Sequence, residues 1–325
     1  MAVIPSPTDE PDGTVLVLRA LGLGDLLTAV PALRALRRAR PAADIVLAAP
    51  GALTDLALST GSVDEVLPMV GLAAPPAWMG APPALAVNLH GRGPQSTTLL
   101  QGIRPGTLWT HTHPEHPDID GPRWDRALHE VTRWCRMVEY FGVRANAWDL
   151  HLGAPEIPSP VPGAIAVHPG AGCRARQWPP ERFAAVVRSL AHDWPDAPVV
   201  ITGGPGEHDL AAGVAALASS EVDRVMCGDG NILELAALVA GAALVVSGDT
   251  GIAHLATAYR TPSVTLFGPT SPERWGPSVD SGIHTVLWAG TTGDPHADRP
   301  DPGLLRVDVE SVLDAAGSLQ EATHV

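Results

Sequence analysis

The 325-residue sequence predicts an α/β protein with doubly wound, mainly parallel sheets shared between two domains. Three observations carry that expectation. Short runs of Val, Ile, Leu and Ala recur along the chain, continuous in their apolarity instead of alternating, as strands covered on both faces require. Segments of helical periodicity separate the runs, and several runs break through glycine directly into the next helix.

The strands are expected at 14–18, 44–48 and 85–89 in the first half, and at 164–168, 199–202, 243–247 and 263–267 in the second. Helix 28–40 places Val30, Leu33 and Leu36 on one face and Arg34, Arg37, Arg38 and Arg40 elsewhere; that Arg cluster either meets an anionic lipid or acidic acceptor or is a solvated face. Helix 181–192 carries Phe183, Val186, Val187 and Leu190, and 231–240 and 252–259 complete the helical set. Segment 153–163 holds four prolines in eleven residues, a stiff stretch that cannot enter a sheet interior. It sets the expected domains at 1–155 and 156–325. Segment 308–319 is amphipathic through Val309, Val312 and Leu313 and is a candidate to pack back onto the first domain. Segment 110–123, with three His, three Pro and three acidic residues, reads as a surface loop.

Composition excludes several function classes. Apolar residues make up 45% and charged residues 17%, with mean hydropathy +0.11, which suits a folded core and not a disordered chain. All 21 basic residues are Arg, against 35 acidic ones, and a net charge of −14 does not suit a general nucleic-acid binder. Cys135, Cys173 and Cys227 lie far apart with no CxxC pair, which fits a reducing cytoplasm. Residues 1–13 have neither a basic nor an apolar region, so no signal peptide is expected. The longest apolar stretch, 235–246, contains Gly241 and falls short of the about 20 residues a bilayer span needs. It reads as a buried helix end turning at Gly241 into a strand.

Chemistry is sought in the strand-to-helix turns, because ligands of open α/β sheets bind beyond the carboxyl ends of strands. The first turn is Leu21-Gly-Leu-Gly-Asp25, where Gly22 and Gly24 allow close backbone approach. It is not a dinucleotide fingerprint, since Asp25 stands where that fingerprint wants a small residue. Asp25 is either a helix cap or a general base. The second turn, His168-Pro-Gly-Ala-Gly-Cys173, runs on through Arg174, Arg176 and Trp178 to Pro180 at a helix start. Gly170 and Gly172 open it, and Arg174 and Arg176 either clamp phosphate oxygens or are solvated. Cys173 is read as a passive thiol, with no partner His placed by sequence. In the third turn, Ser247-Gly-Asp-Thr-Gly251, Asp249 or Thr250 would cap the helix and the amides near Thr250 and Gly251 would face a diphosphate. His254, one turn on, either donates to a phosphate or satisfies a core carbonyl. In the fourth, Gly203-Gly-Pro-Gly-Glu207, Glu207 either holds ribose hydroxyls or caps a helix.

The order of these pieces resembles the heptosyltransferase family, glycosyltransferase family 9. The matching segments are 21–36, Asn88-Leu-His-Gly91, His129-Glu-Val-Thr-Arg-Trp134, 168–172 with Trp178-Pro179, 203–207, 247–255 and Leu266-Phe-Gly-Pro-Thr-Ser-Pro272. They cover most of 14–277 in family order. The resemblance implies the GT-B fold of two facing Rossmann-like domains, with a nucleotide-sugar donor, usually ADP-heptose, on the second and a glycan or glycolipid acceptor on the first. Asp25 falls on the family's proposed base. Gly170, Arg176, Glu207, Asp249, Thr250, Gly251 and His254 fall on the donor side, and Gly22, Gly24, His90 and Arg92 on the acceptor side. Arg176 replaces a basic residue that is often Lys, and Asn88 stands where the family often has Asp.

The chemistry so implied is inverting transfer without metal or cofactor. Asp25 takes the acceptor proton, while Arg176 and the amides near Gly251 stabilise the leaving diphosphate. A metal site among His111, His113, Glu115, His116, Asp118 and Asp120 is not expected, since the prolines of that loop give no reason for those ligands to converge. Two other classes remain open, a nucleotide-sugar 2-epimerase and a catalytically silent sugar-nucleotide binder. The expected setting is cytoplasmic, with at most peripheral membrane contact.

Overall fold

The computed structural model describes residues 13–228 and 231–323. The stretch read as lacking a signal peptide lies, but for residue 13, outside the described residues. The chain divides into two compact units, Met1–Leu150 and His151–Val325, with the break just ahead of the proline-rich segment.

The first unit runs β1 (Val15–Leu18), α1 (Leu23–Ala39), β2 (Ile45–Ala49), α2 (Thr54–Ser59), β3 (Glu65–Pro68), β4 (Leu85–Asn88), α3 (Gln95–Gly102), β5 (Thr107–Trp109) and α4 (Glu130–Tyr140). Its five strands form one parallel sheet in the order β3-β2-β1-β4-β5, with Val15 in register with both Ile45 and Leu85. Every residue of β1, β2 and β4 is buried, because helices and loops cover both faces of the sheet. Side chains alternate across it. Leu16, Leu18, Val46, Ala48 and Ala86 form one apolar face with Leu100 of α3 and Trp78 packed against them. Each fully buried Leu or Val there contributes about 1.5–3 kcal/mol.

Helix α1 begins at Leu23, five residues ahead of the expected 28, with Gly22 as N-cap. The glycines of Leu21-Gly-Leu-Gly-Asp25 lower local helix propensity and so conceal the first turn in the sequence. Once formed, α1 buries Leu26, Leu27, Val30, Leu33 and Leu36 and packs on α4.

The second unit runs β6 (Ile165–His168), α5 (Pro180–Asp193), β7 (Val199–Gly203), α6 (His208–Ala218), β8 (Arg224–Cys227), α7 (Ile232–Ala240), β9 (Leu244–Gly248), α8 (Gly251–Tyr259), β10 (Ser263–Phe267), α9 (Pro272–Trp275), β11 (His284–Trp288) and α10 (Val309–Thr323). Its parallel sheet has the order β11-β10-β9-β6-β7-β8. Its core gathers Ile165, Val167, Phe183, Val187, Val246 and Val312 around Trp178, whose Nε1 donates to the Val307 carbonyl at 3.0 Å. The apolar stretch 235–246 resolves as the end of α7 and the start of β9, with the Gly241 N–H bonded to the Ala237 carbonyl at the turn. Helix α10 lays its buried Val312, Ala316 and Leu319 on α5 and β10 of its own unit.

Both sheets reverse their winding direction once, between β1 and β4 and between β6 and β9. At such a reversal the crossovers leave to opposite sides and a crevice opens beyond the carboxyl ends of the two central strands. Among the described residues no helix is long and apolar enough to cross a membrane.

Candidate active-site residues in the two units

At the crevice of the first unit, β1 delivers a charged residue straight out of a buried strand. Arg19 is 1% exposed, and its guanidinium is held on every side. Nε donates to the Asp25 carbonyl at 2.9 Å and Nη1 to the Leu89 carbonyl beyond β4. Nη2 reaches Asp25 Oδ1 at 3.2 Å, Thr28 Oγ1 at 3.2 Å and Glu130 Oε1 at 3.3 Å. The Trp134 ring lies beneath it, 4.7 Å from Cζ. Glu130 opens α4, where its Oε2 accepts from Arg133 Nε at 3.0 Å and its Oε1 from Trp134 Nε1 at 2.9 Å. Burial works to raise the Glu130 carboxyl, but Arg19, Arg133 and Trp134 outweigh it and hold the group below its ordinary range. Ionised groups this deep are tolerable only because each is paired and hydrogen-bonded.

Asp25 is the outward end of this cluster. Its side chain is 26% exposed, against 0% for Arg19 and 9% for Glu130. Because Gly22 holds the N-cap position, Asp25 stands inside the first turn of α1 with its carboxylate turned to Arg19. Two imidazoles border the cluster. His90 is half-buried, His111 is buried, and each has an Nδ1 with no hydrogen-bond partner among the described residues. Burial, helped by Arg19 for His90 and by Arg133 for His111, lowers both to about 4, so both are neutral at physiological pH. Gly22 and Arg92 are exposed, and Gly24 is partly so. Asn88 is buried behind them, donating from Nδ2 to Ser96 Oγ and Thr110 Oγ1, each at 2.9 Å.

Two expectations for this unit are corrected. Segment 110–123 is not simply a surface loop: Thr110, His111 and Gly121 are buried, and a Cβ on Gly121 would come 1.9 Å from the Thr110 carbonyl oxygen. Two of its outer side chains have local partners, His116 Nε2 with Thr98 Oγ1 at 3.0 Å and Asp120 Oδ1 accepting from Tyr140 Oη at 2.8 Å. Among the described residues no group of three or more His, Cys, Asp or Glu is arranged to hold a metal ion. The Arg cluster of α1 is largely paired and not simply a solvated face, with 52% of the Arg38 side chain exposed. Arg34 and Arg38 share the Asp149 carboxylate at 2.6 and 2.7 Å, Arg37 binds Asp64, and Arg40 is buried over Trp109.

In the second unit the turns after β6 and β9 leave the sheet side by side, with His168 in register with Ser247. Gly170 lies so close under Glu207 that a Cβ there would meet Oε2 at 2.1 Å. Glu207 makes no side-chain cap to α6. Its Oε2 instead accepts from the Gly204 N–H at 2.6 Å and lies 3.5 Å from His168 Nε2. Burial lowers His168 against the opposing pull of Glu207, and its Nδ1 faces Thr202 Oγ1 at 3.0 Å.

Arg174 is exposed, while Arg176 turns inward, donating from Nη1 to the Asp249 carbonyl at 3.0 Å with Asp249 Oδ2 at 3.9 Å. Burial raises Asp249 to about 6, against the lowering effect of Arg176. Thr250 is the N-cap of α8 but its side chain makes no cap bond to the first amides of that helix. Those amides, from Gly251 on, point out of the helix start as anion donors do. His254, in the next turn, packs edge-on to Trp275 at 6.0 Å. Cys173, expected to be passive, has His296 Nδ1 3.6 Å from its Sγ. The second unit thus brings together a guanidinium, a helix N-terminus and a carboxylate. That is a set able to hold a phosphate group and a vicinal diol.

Residues 149–301 match the family model of glycosyltransferase family 9 (heptosyltransferase). The match spans less than half of the chain, and it makes the second unit similar to that family. Lipopolysaccharide heptosyltransferase 3 of Escherichia coli is 28% identical over 160 residues, which are 48% of this chain and 46% of that protein. The chain therefore matches less than half the length of that curated relative. Of the solved structures, E. coli ADP-heptose LPS heptosyltransferase II superposes with a TM-score of 0.77 at 20% identity, covering 96% of this chain and 100% of the other. An E. coli heptosyltransferase with ADP-2-deoxy-2-fluoro heptose gives 0.68 at 20% identity, covering 93% and 98%. At these identities the likeness shows a common fold, two parallel-sheet α/β domains as in the GT-B heptosyltransferases. Sequence reasoning missed Arg19 and Glu130, the partners that gather around Asp25. One signal was available, an Arg placed directly after the four apolar residues Val15–Leu18.

Proposed function

We propose that this chain is an inverting glycosyltransferase that moves a heptose from an ADP-sugar to a hydroxyl of a glycan or glycolipid, with Asp25 as general base, working in the cytoplasm. The observation that carries the reading is the position of Asp25, the one partly exposed carboxylate on an otherwise buried charge cluster at the crevice of its sheet. The acceptor hydroxyl gives its proton to Asp25 as its oxygen bonds to the anomeric carbon. On the opposite face the bond to the diphosphate breaks, and the electron pair leaves with that group. Arg176 and the first amides of α8 stabilise the departing charge, and Glu207 accepts from ribose hydroxyls. Glu130, the neighbouring carboxylate, is committed to Arg19, Arg133 and Trp134, which leaves a single base and favours inversion over a two-carboxylate retaining path.

The test is Asp25→Asn, assayed with ADP-heptose and an inner-core lipopolysaccharide acceptor by release of ADP. Transfer is expected to be lost while ADP-sugar affinity by calorimetry stays within about twofold. A variant that keeps more than about a tenth of kcat, a loss under about 1.4 kcal/mol, rules out Asp25 as the base. Tighter binding of UDP- or GDP-sugars than of ADP-sugars would overturn the donor assignment.

A further inference from the structure

We infer that Arg19 and Glu130 are positioning residues for the proposed base: Arg19 fixes the Asp25 carboxylate, and Glu130, by drawing on the same guanidinium nitrogen, keeps that carboxylate a competent proton acceptor. The inference rests on the reading of Asp25 as base. Its ground is a geometric conflict with a visible resolution. A carboxylate bound to a buried guanidinium alone is strongly stabilised in its ionised form, which makes it a poor base. Here Nη2 of Arg19 is divided between Asp25 Oδ1 at 3.2 Å and Glu130 Oε1 at 3.3 Å, so two carboxylates share one cation.

The surroundings support the division. Arg133 on α4 holds the far oxygen of Glu130, so the cluster contains two guanidiniums and two carboxylates and is balanced. Two titratable neighbours of the cluster, His90 beyond β4 and His111 beyond β5, are both neutral. Thr28 Oγ1 and the Leu89 carbonyl take further donors of Arg19, and Trp134 covers its face, so the guanidinium cannot swing wholly to either acid. Removing the charge of Glu130 would leave Asp25 as the one charged carboxylate on Nη2 of Arg19 among the described residues. Its ionised form would then be favoured and its proton affinity would fall.

The experiment follows the titration of Asp25 directly, by carboxyl carbon NMR on protein labelled at aspartate, with Asp25→Asn supplying the assignment. Glu130→Gln is expected to move the Asp25 midpoint down by about one pH unit. The acid limb of kcat/KM should move in the same direction, with kcat on the plateau lower by about threefold through the weaker base. Glu130→Asp, which keeps the charge, should restore most of the midpoint. If Glu130→Gln does not fold, Glu130→Asp carries the test alone, with a smaller shift of the same sign. An Asp25 midpoint that stays in place or rises in a folded variant overturns the inference, and so does a loss of rate with an unmoved acid limb, which is what a merely structural residue gives. If Asp25→Asn abolishes transfer while Glu130→Gln leaves the midpoint unmoved, only this inference fails. If Asp25→Asn keeps full activity, the assignment of the base fails and takes the inference with it.

Discussion

Asp249→Asn should make the apoprotein more stable at neutral pH. The Asp249 carboxyl is 5% exposed and is raised from 3.8 to about 6 by burial, in spite of Arg176 at 3.9 Å. A displacement of that size means that holding the charge in the folded state costs about 3 kcal/mol at pH values above 6. The amide keeps the shape of the acid and sheds its charge. For a two-state domain of this size about 2–4 °C accompanies each kcal/mol, so Asp249→Asn should raise Tm by about 6–12 °C at pH 8 as a ceiling. The sign of the pH dependence follows from proton uptake. Between about pH 6 and 4 the folded state of the native chain holds this proton and the unfolded state does not, so its stability rises as pH falls. The gap between variant and native protein should therefore close as pH drops from 7 to 4, as read by calorimetry in matched buffers. A gap that is constant with pH, or a variant less stable at pH 8, refutes the reasoning.

Gly170→Ala drives a Cβ into the Glu207 carboxylate, which can swing away because it ends a flexible side chain, so the fold should survive with Tm changed by no more than about 3 °C. Affinity for ADP by calorimetry should nonetheless fall at least about tenfold; unchanged affinity removes Glu207 from ribose recognition. Acid should act in the opposite sense to Asp249 through His90, His111 and His284, each lowered to about 4 chiefly by burial. Below about pH 6.5 the unfolded chain binds protons that these imidazoles refuse, so the unfolding free energy from denaturant titration should fall from pH 6.5 towards 4, by up to about 1.4 kcal/mol per pH unit for each ring. His111→Gln should flatten that decline, and an equal slope in the variant counts against the assignment.

What the sequence made legible is the middle of each sheet. Strands β1, β2, β4, β6, β7, β9 and β10 read as continuous apolar runs because both their faces are covered. The four strands it did not yield, β3, β5, β8 and β11, all lie at sheet edges or complete them, and Glu65, Arg224 and Val225 are exposed there, so burial never imposes an apolar run. The turns after β1, β6, β7 and β9 were legible because glycine interrupts an apolar run at a place the topology reserves for ligands. Side-chain partnerships across long stretches of chain were not. Arg19 meets Glu130 across 111 residues and Cys173 meets His296 across 123, and nothing local encodes either distance. The ring of charge behind Asp25 is a product of tertiary packing, even though all its members but Arg19 lay inside segments read as resembling the family.

The hydroxyl cage around Asn88 bears on how the first unit can drift through evolution. Ser96, Thr97 and Thr110 each present a rotatable O–H, able to receive from an amide or, after a turn about one bond, to give to a carboxylate. The main-chain N–H of His90 is content with an oxygen of either kind. Acid and amide are therefore interchangeable at this strand end without moving the peptide path, and exchange between them across relatives should track ancestry more closely than choice of acceptor sugar.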